Sequence, residues 1–74
     1  MYKDFRNNLM IAVLSYIIIN IYMVNGEKIV IGEGGISKDC ISFRPFGFYI
    51  KGQNLARWYN YANILKIEVF GHEF

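Results

Sequence analysis

The sequence predicts an α+β chain in which a single N-terminal transmembrane helix is followed by a small antiparallel β meander. Three observations lead there. The run Leu9–Val24, LMIAVLSYIIINIYMV, holds no charge, and neither does the wider stretch from Asn7 to Gly26. Coiled as a helix, that stretch is roughly 30 Å long, the thickness of a bilayer's hydrocarbon core. The residues beyond it alternate short apolar runs with glycine, proline and asparagine at intervals of roughly eight to twelve positions, the pattern of short antiparallel strands. Finally, 54% of the chain is hydrophobic, and most of the excess sits in the first stretch. The expected division is residues 1–26 as a polar flank and membrane-anchor helix, and 27–74 as a small β-rich domain.

Met1–Arg6 carries Lys3, Asp4 and Arg6 and reads as a solvated or headgroup-level flank. Within the anchor, a helical period gathers Met10, Ile11, Val13, Leu14, Ile17, Ile18 and Ile21 on one apolar arc. Asn8, Ala12, Ser15, Tyr16, Asn20 and Tyr22 fall opposite, interrupted by Leu9 and Ile19. Ser15 and Asn20 are polar groups that lipid leaves unsatisfied, which makes them the candidates for pairing with another helix.

The same residues admit other readings. Ile17 to Met23 also alternates with a period of two, Asn25-Gly26 is a favoured hairpin turn, and Glu27–Gly32 then reads as a strand. A buried helix of a soluble oligomer and a secretory signal peptide led by Lys3 and Arg6 are further alternatives. The helical template fits more of the run, and a strand of about 15 residues is well beyond the usual ~5–6. Lys3 and Arg6 on one side and Lys28 and Lys38 on the other leave the orientation across a membrane unassigned.

Beyond Gly26, strands are expected at Lys28–Gly32, Ile36–Phe43, Phe48–Lys51, Leu55–Tyr59 and Leu65–Phe70. The last is the clearest, with Leu65, Ile67 and Val69 facing one way and Lys66 and Glu68 the other. Arg44-Pro45-Phe46-Gly47 is a turn, and Asn60–Asn63 a loop or single helical turn. Five such strands make one open sheet with a face that no later helix covers. The sheet is therefore expected to pack on a copy of itself, on another protein or on the membrane.

Chemistry is sparsely signalled. A net charge of +2 is too small to indicate a polyanion partner. Cys40 is the only cysteine, so a disulfide within the chain is excluded. Nucleophilic catalysis would need Cys40 or a serine beside a base and an orienting group; His72 is the only histidine, and Cys40 reads as a small apolar side chain. Glu33, Asp39, Glu68 and Glu73 read as solvated charges. Gly32-Glu33-Gly34-Gly35 lacks the Lys-Ser/Thr that completes a phosphate loop. No catalytic residue, cofactor or metal site is assigned. The more suggestive cluster is aromatic and basic, and Arg44, Phe46, Arg57, Trp58 and Tyr59 are its candidates for a contact surface.

Residues 29 to 69 resemble the small bacterial pleckstrin-homology-like domains attached to transmembrane helices. The resemblance rests on Ile29-Val30-Ile31-Gly32-Glu33-Gly34-Gly35-Ile36, on Trp58 followed by Ile64, and on Ile67-Glu68. It covers at most the first part of such a domain, with one anchor where two are common and a longer insert after Trp58. It implies a sheet that binds lipid or a protein partner. Together these readings give a non-enzymatic, membrane-anchored interaction or scaffold subunit, working as a homo-oligomer or in a larger complex. The alternative is a soluble, intertwined β-rich oligomer that binds a protein or nucleic-acid target, such as a small inhibitor encoded by a mobile element.

Overall fold

The apolar run near the N-terminus divides between two kinds of structure. In the computed structural model, which describes residues 1–72, Lys3–Ser15 forms helix α1 and Tyr16–Met23 forms strand β1. The switch follows side-chain shape. Leu9 to Leu14 includes leucine, methionine and alanine, which keep their rotamer freedom in a helix. Tyr16 to Met23 packs four isoleucines and two tyrosines into eight positions, and branched and aromatic side chains favour a pleated surface. Tyr16 turns to extended backbone (φ −118°, ψ 152°) while its N–H still bonds to the Ala12 carbonyl. Asp4 lies in the first turn of α1, where a carboxylate complements the helix dipole.

This overturns the expected transmembrane helix. Helix α1 has 13 residues, and among the described residues no helix is long and apolar enough to cross a membrane. Ser15 closes α1 and Asn20 sits in the middle of β1, so the two do not share the helical stripe proposed for helix pairing.

Strand β1 is instead the centre of a three-stranded antiparallel sheet, in the order β2-β1-β6, with β2 at Lys28–Gly32 and β6 at Ile64–His72. The Asn25-Gly26 turn joins β1 to β2. Gly26 adopts φ +94° there, a backbone angle that a side chain disfavours. The Met23 N–H bonds to the Glu27 carbonyl at 2.8 Å, and the Glu27 N–H to Asn25 Oδ1 at 2.9 Å. At the other end of β2, a Cβ on Gly32 would stand 2.0 Å from the Ile17 carbonyl oxygen, so the two backbones meet only because residue 32 has no side chain.

A second three-stranded sheet follows, with β3 at Ile41–Phe43, β4 at Gly47–Lys51 and β5 at Ala56–Asn60, in the order β3-β4-β5. Short 3₁₀ turns at Lys38–Cys40 and Tyr61–Asn63 lead into β3 and β6. Only the last three residues of the expected Ile36–Phe43 strand are extended within a sheet. Ile36 makes a lone parallel bridge to Ile31.

The single open sheet is therefore replaced by two sheets and a helix that cover one another. One face of β1 contributes Ile19, Ile21 and Met23 to the core, and Ile29 and Ile31 join them from β2. Ile41, Phe48 and Ile50 enter from the second sheet, and Leu9 and Val13 from α1. Fully burying each such side chain contributes about 1.5–3 kcal/mol relative to leaving it in water.

Candidate functional site

Period-two alternation along β5 decides where the candidate contact residues go. Successive side chains of a strand point to opposite faces, so Arg57, Trp58 and Tyr59 cannot share one. Tyr59 turns inward and stacks on the buried Phe48, with ring centroids 5.2 Å apart at 21°. Trp58 turns outward and meets Tyr49, its register partner on β4, at 4.8 Å. Arg44 completes the outer arrangement. Its guanidinium lies 5.3 Å from the Tyr49 ring centroid, and Nη2 donates to the Tyr49 hydroxyl at 3.3 Å. Hydrogen bonding from Ser42, then from Arg44, holds the Tyr49 phenol below its ordinary pKa.

The outer face of the second sheet is thus a row of Arg44, Tyr49 and Trp58. Trp58 remains 65% exposed although Tyr49 fixes one side of its ring. Lys51 lies on the same face, two positions along β4 from Tyr49. From Cys40 to Ile67 the chain carries Arg44, Lys51, Arg57 and Lys66 and no acidic residue. Of these, Arg44 and Lys51 belong to the outer face, whereas Arg57 meets Glu27 at the groove and Lys66 lies over Tyr22 on the first sheet.

The inward residues build a different feature. Tyr59 donates its hydroxyl to Glu27 Oε2 at 2.7 Å, and Arg57 Nη1 stands 3.7 Å from the same oxygen. Burial, then the bond to Glu27, raises the Tyr59 pKa. These three residues edge a groove of about 590 Å³ between β2 and β5, whose apolar wall includes Ile29, Ile36, Ile50 and Leu55. The Arg57–Glu27 pair is largely in water and contributes little to stability.

Phe46 occupies a third place. It lies 65% exposed in the β3–β4 turn, edge-on to Tyr2 at 6.4 Å. The five candidates therefore fall into three settings: Arg44 and Trp58 on the outer face, Arg57 and Tyr59 at the groove, and Phe46 in its turn. Tyr49 and Glu27 stand outside the contact set that the sequence suggests. Tyr49 was recoverable, because it stands on β4 with the spacing that faces outward. Glu27 was not, since 32 positions separate it from Tyr59.

Other chemistry is thin. Cys40 is half-buried at the end of its 3₁₀ turn, and the His72 ring meets Tyr16 edge-on at 5.0 Å. Gly32-Glu33-Gly34-Gly35 is a tight turn closed by the Gly35 N–H on the Gly32 carbonyl at 3.0 Å. Glu73, one of the scattered carboxylates, lies outside the described residues. Among the described residues no three histidine, cysteine, aspartate or glutamate side chains are grouped to hold a metal ion. No protein-family model, curated protein or solved structure matches the chain.

Proposed function

We propose that this chain is a non-catalytic binding module for a protein partner, and that Arg44, Tyr49 and Trp58 on the outer face of β3-β4-β5 form its contact surface. The supporting observation is the state of Trp58. A large ring stays mostly in water while Tyr49 fixes its orientation, and Arg44 extends the same row. Tryptophan, tyrosine and arginine are the residues that most often dominate binding energy at protein interfaces. A ring ordered beforehand loses little side-chain freedom on binding. Arg44 and Lys51, the cations of that face, favour a partner whose patch is acidic. This reading rests on those side chains and needs no membrane anchor.

A second reading shares the geometry. Exposed aromatics interleaved with Arg and Lys also stack the bases of single-stranded nucleic acid. Affinity capture with the whole chain, comparing wild type with Trp58→Ala and Arg44→Ala, separates the two. Under the protein reading, a defined acidic protein is captured and Trp58→Ala weakens that capture at least tenfold. Circular dichroism of the variant stays unchanged, because Trp58 lies outside the core. Equal capture by wild type and Trp58→Ala overturns the choice of surface. Steeply salt-dependent binding to a single-stranded oligonucleotide, lost in the same variants, replaces the protein by nucleic acid.

A further inference from the structure

Strand β6 has an unpaired edge. It bonds to β1 along one side from Tyr16 to Met23, and among the described residues no strand lies on its other side. The backbone groups on that open side follow from the pairing of β1. Met23 N–H bonds to the Glu27 carbonyl, and Glu33 N–H to the Ile17 carbonyl. The odd-numbered residues of β1 thus direct their N–H and C=O toward β2, and Ile18, Asn20 and Tyr22 direct theirs toward β6. Their register partners there are Phe70, Glu68 and Lys66. The intervening Ile67 and Val69 therefore aim their N–H and C=O groups out of the sheet, while Leu65 lies in the irregularity between Lys66, opposite Tyr22, and Ile64, opposite Met23.

Natural edges are shielded by shortness, proline, bulges or uncompensated lysines. Strand β6 is nine residues long and has no proline. The irregularity in its pairing, at Tyr22/Met23, takes up Leu65 and leaves Lys66–Phe70 as the regular part of the strand. Its one lysine, Lys66, is matched by Glu68 two positions on. Of the other edges, β2 is bridged by Ile36, β3 is three residues long, and β5, five residues long, is shorter than the nine-residue β6.

We infer that β6 pairs antiparallel with β6 of a second copy of this chain, about a twofold axis at Ile67, so that the two sheets join into one of six strands. Charge fixes the register. With the axis at Ile67, Ile67 faces itself as a hydrogen-bonded pair. Lys66 faces Glu68 twice, at the positions where opposing side chains of an antiparallel pair come closest. Moving the axis to Glu68 sets glutamate against glutamate, and moving it to Lys66 sets lysine against lysine. Moving it to Val69 leaves Glu68 opposite Phe70. A slip that brings odd-numbered residues opposite even-numbered ones turns one sheet inside out. The pairing also covers apolar surface, since Leu65 is 68% exposed and Ile67 and Val69 are half-buried.

Sedimentation equilibrium of the whole chain over micromolar to submillimolar concentrations tests this. The wild type is expected to dimerise, more weakly as salt rises. Lys66→Glu and Glu68→Lys each place like charges at both crossings and are expected to weaken self-association about tenfold. Mixed in equal amounts, the two variants place opposite charges at both crossings and should form a heterodimer. Lys66→Glu spares the bond from the Tyr22 hydroxyl to Glu68, so circular dichroism should find it folded. A wild type that stays monomeric across the range overturns the inference. So do single variants that associate as the wild type does, or a mixture that fails to recover the dimer.

Discussion

The outer faces of the two sheets are built alike and end differently. On the first sheet, Tyr22 stands between its register partners Lys28 and Lys66, whose ammonium groups lie 5.6 and 4.7 Å from its ring centroid. Its hydroxyl donates to Glu68 Oε1 at 2.7 Å. The ring's face and its polar tip both have partners within the chain. On the second sheet, Tyr49 stands between Ser42 and Trp58 in the same three-across geometry. There the outermost ring has a neighbour on one side and water on the other. A tyrosine centred on a strand triplet can therefore close a surface or present one. The outcome depends on whether its flanks are charges that it satisfies or a ring that it only orients.

The largest effect should come from what both faces share, the core beneath them. Phe48 is fully buried and stacks on Tyr59. Phe48→Ala is expected to destabilise the fold by about 3–5 kcal/mol in urea denaturation. Tyr49→Ala, on the other face of the same strand, should cost far less. Equal losses would mean that the two faces of β4 are not inside and outside.

Alkaline titration sharpens the comparison next. Tyr22, Tyr59 and Tyr61 are all held above the usual phenol value of 10.0. The bond to Glu68 is the main cause for Tyr22, and burial the main cause for the other two. A raised phenol adds stability that is complete below pH 10 and disappears as the pH climbs through the folded value. Tyr49 is lowered, and its contribution runs the opposite way. Denaturation midpoints should fall as the pH passes about 10. Tyr22→Phe should flatten that fall, whereas Tyr49→Phe should steepen it.

The smallest effect concerns Asn20, which separates the first sheet's outer face from a fully optimised one. Asn20 is 8% exposed between Val30 and Glu68, and its Oδ1 has no hydrogen-bond partner among the described residues. Asn20→Val removes that buried acceptor and adds a side chain suited to a central strand. It should raise stability by about 0.5–1 kcal/mol. A loss measured by the same denaturation would show that the amide holds something in place.

Part of this architecture was legible in the residues. The Asn25-Gly26 turn and the alternation of Ile17–Met23 marked the hairpin, and the Leu65–Phe70 pattern marked β6. The uncharged length of Leu9–Val24 outweighed them, because a helix and a strand that both pack on one core look equally apolar. The rise after Ser15 in branched and aromatic side chains, from Ile11 and Val13 alone between Leu9 and Leu14 to six of the eight residues Tyr16–Met23, was the available sign of the boundary. The pairing of β6 with β1 was not available, since it joins residues near opposite ends of the chain without any local signal. At the candidate site the reverse happened. Arg57, Trp58 and Tyr59 were grouped as neighbours in sequence, although the period of a strand already places Trp58 on the face opposite the other two.

The distinction between the two faces is tested most directly by measuring partner capture and unfolding free energy together for Trp58→Ala and Tyr22→Ala. The expected result is a crossed one: Trp58→Ala loses capture and keeps its stability, while Tyr22→Ala loses stability and, where folded, keeps capture. Capture that survives Trp58→Ala but fails in folded Tyr22→Ala would place the contact surface on the first sheet and contradict this account.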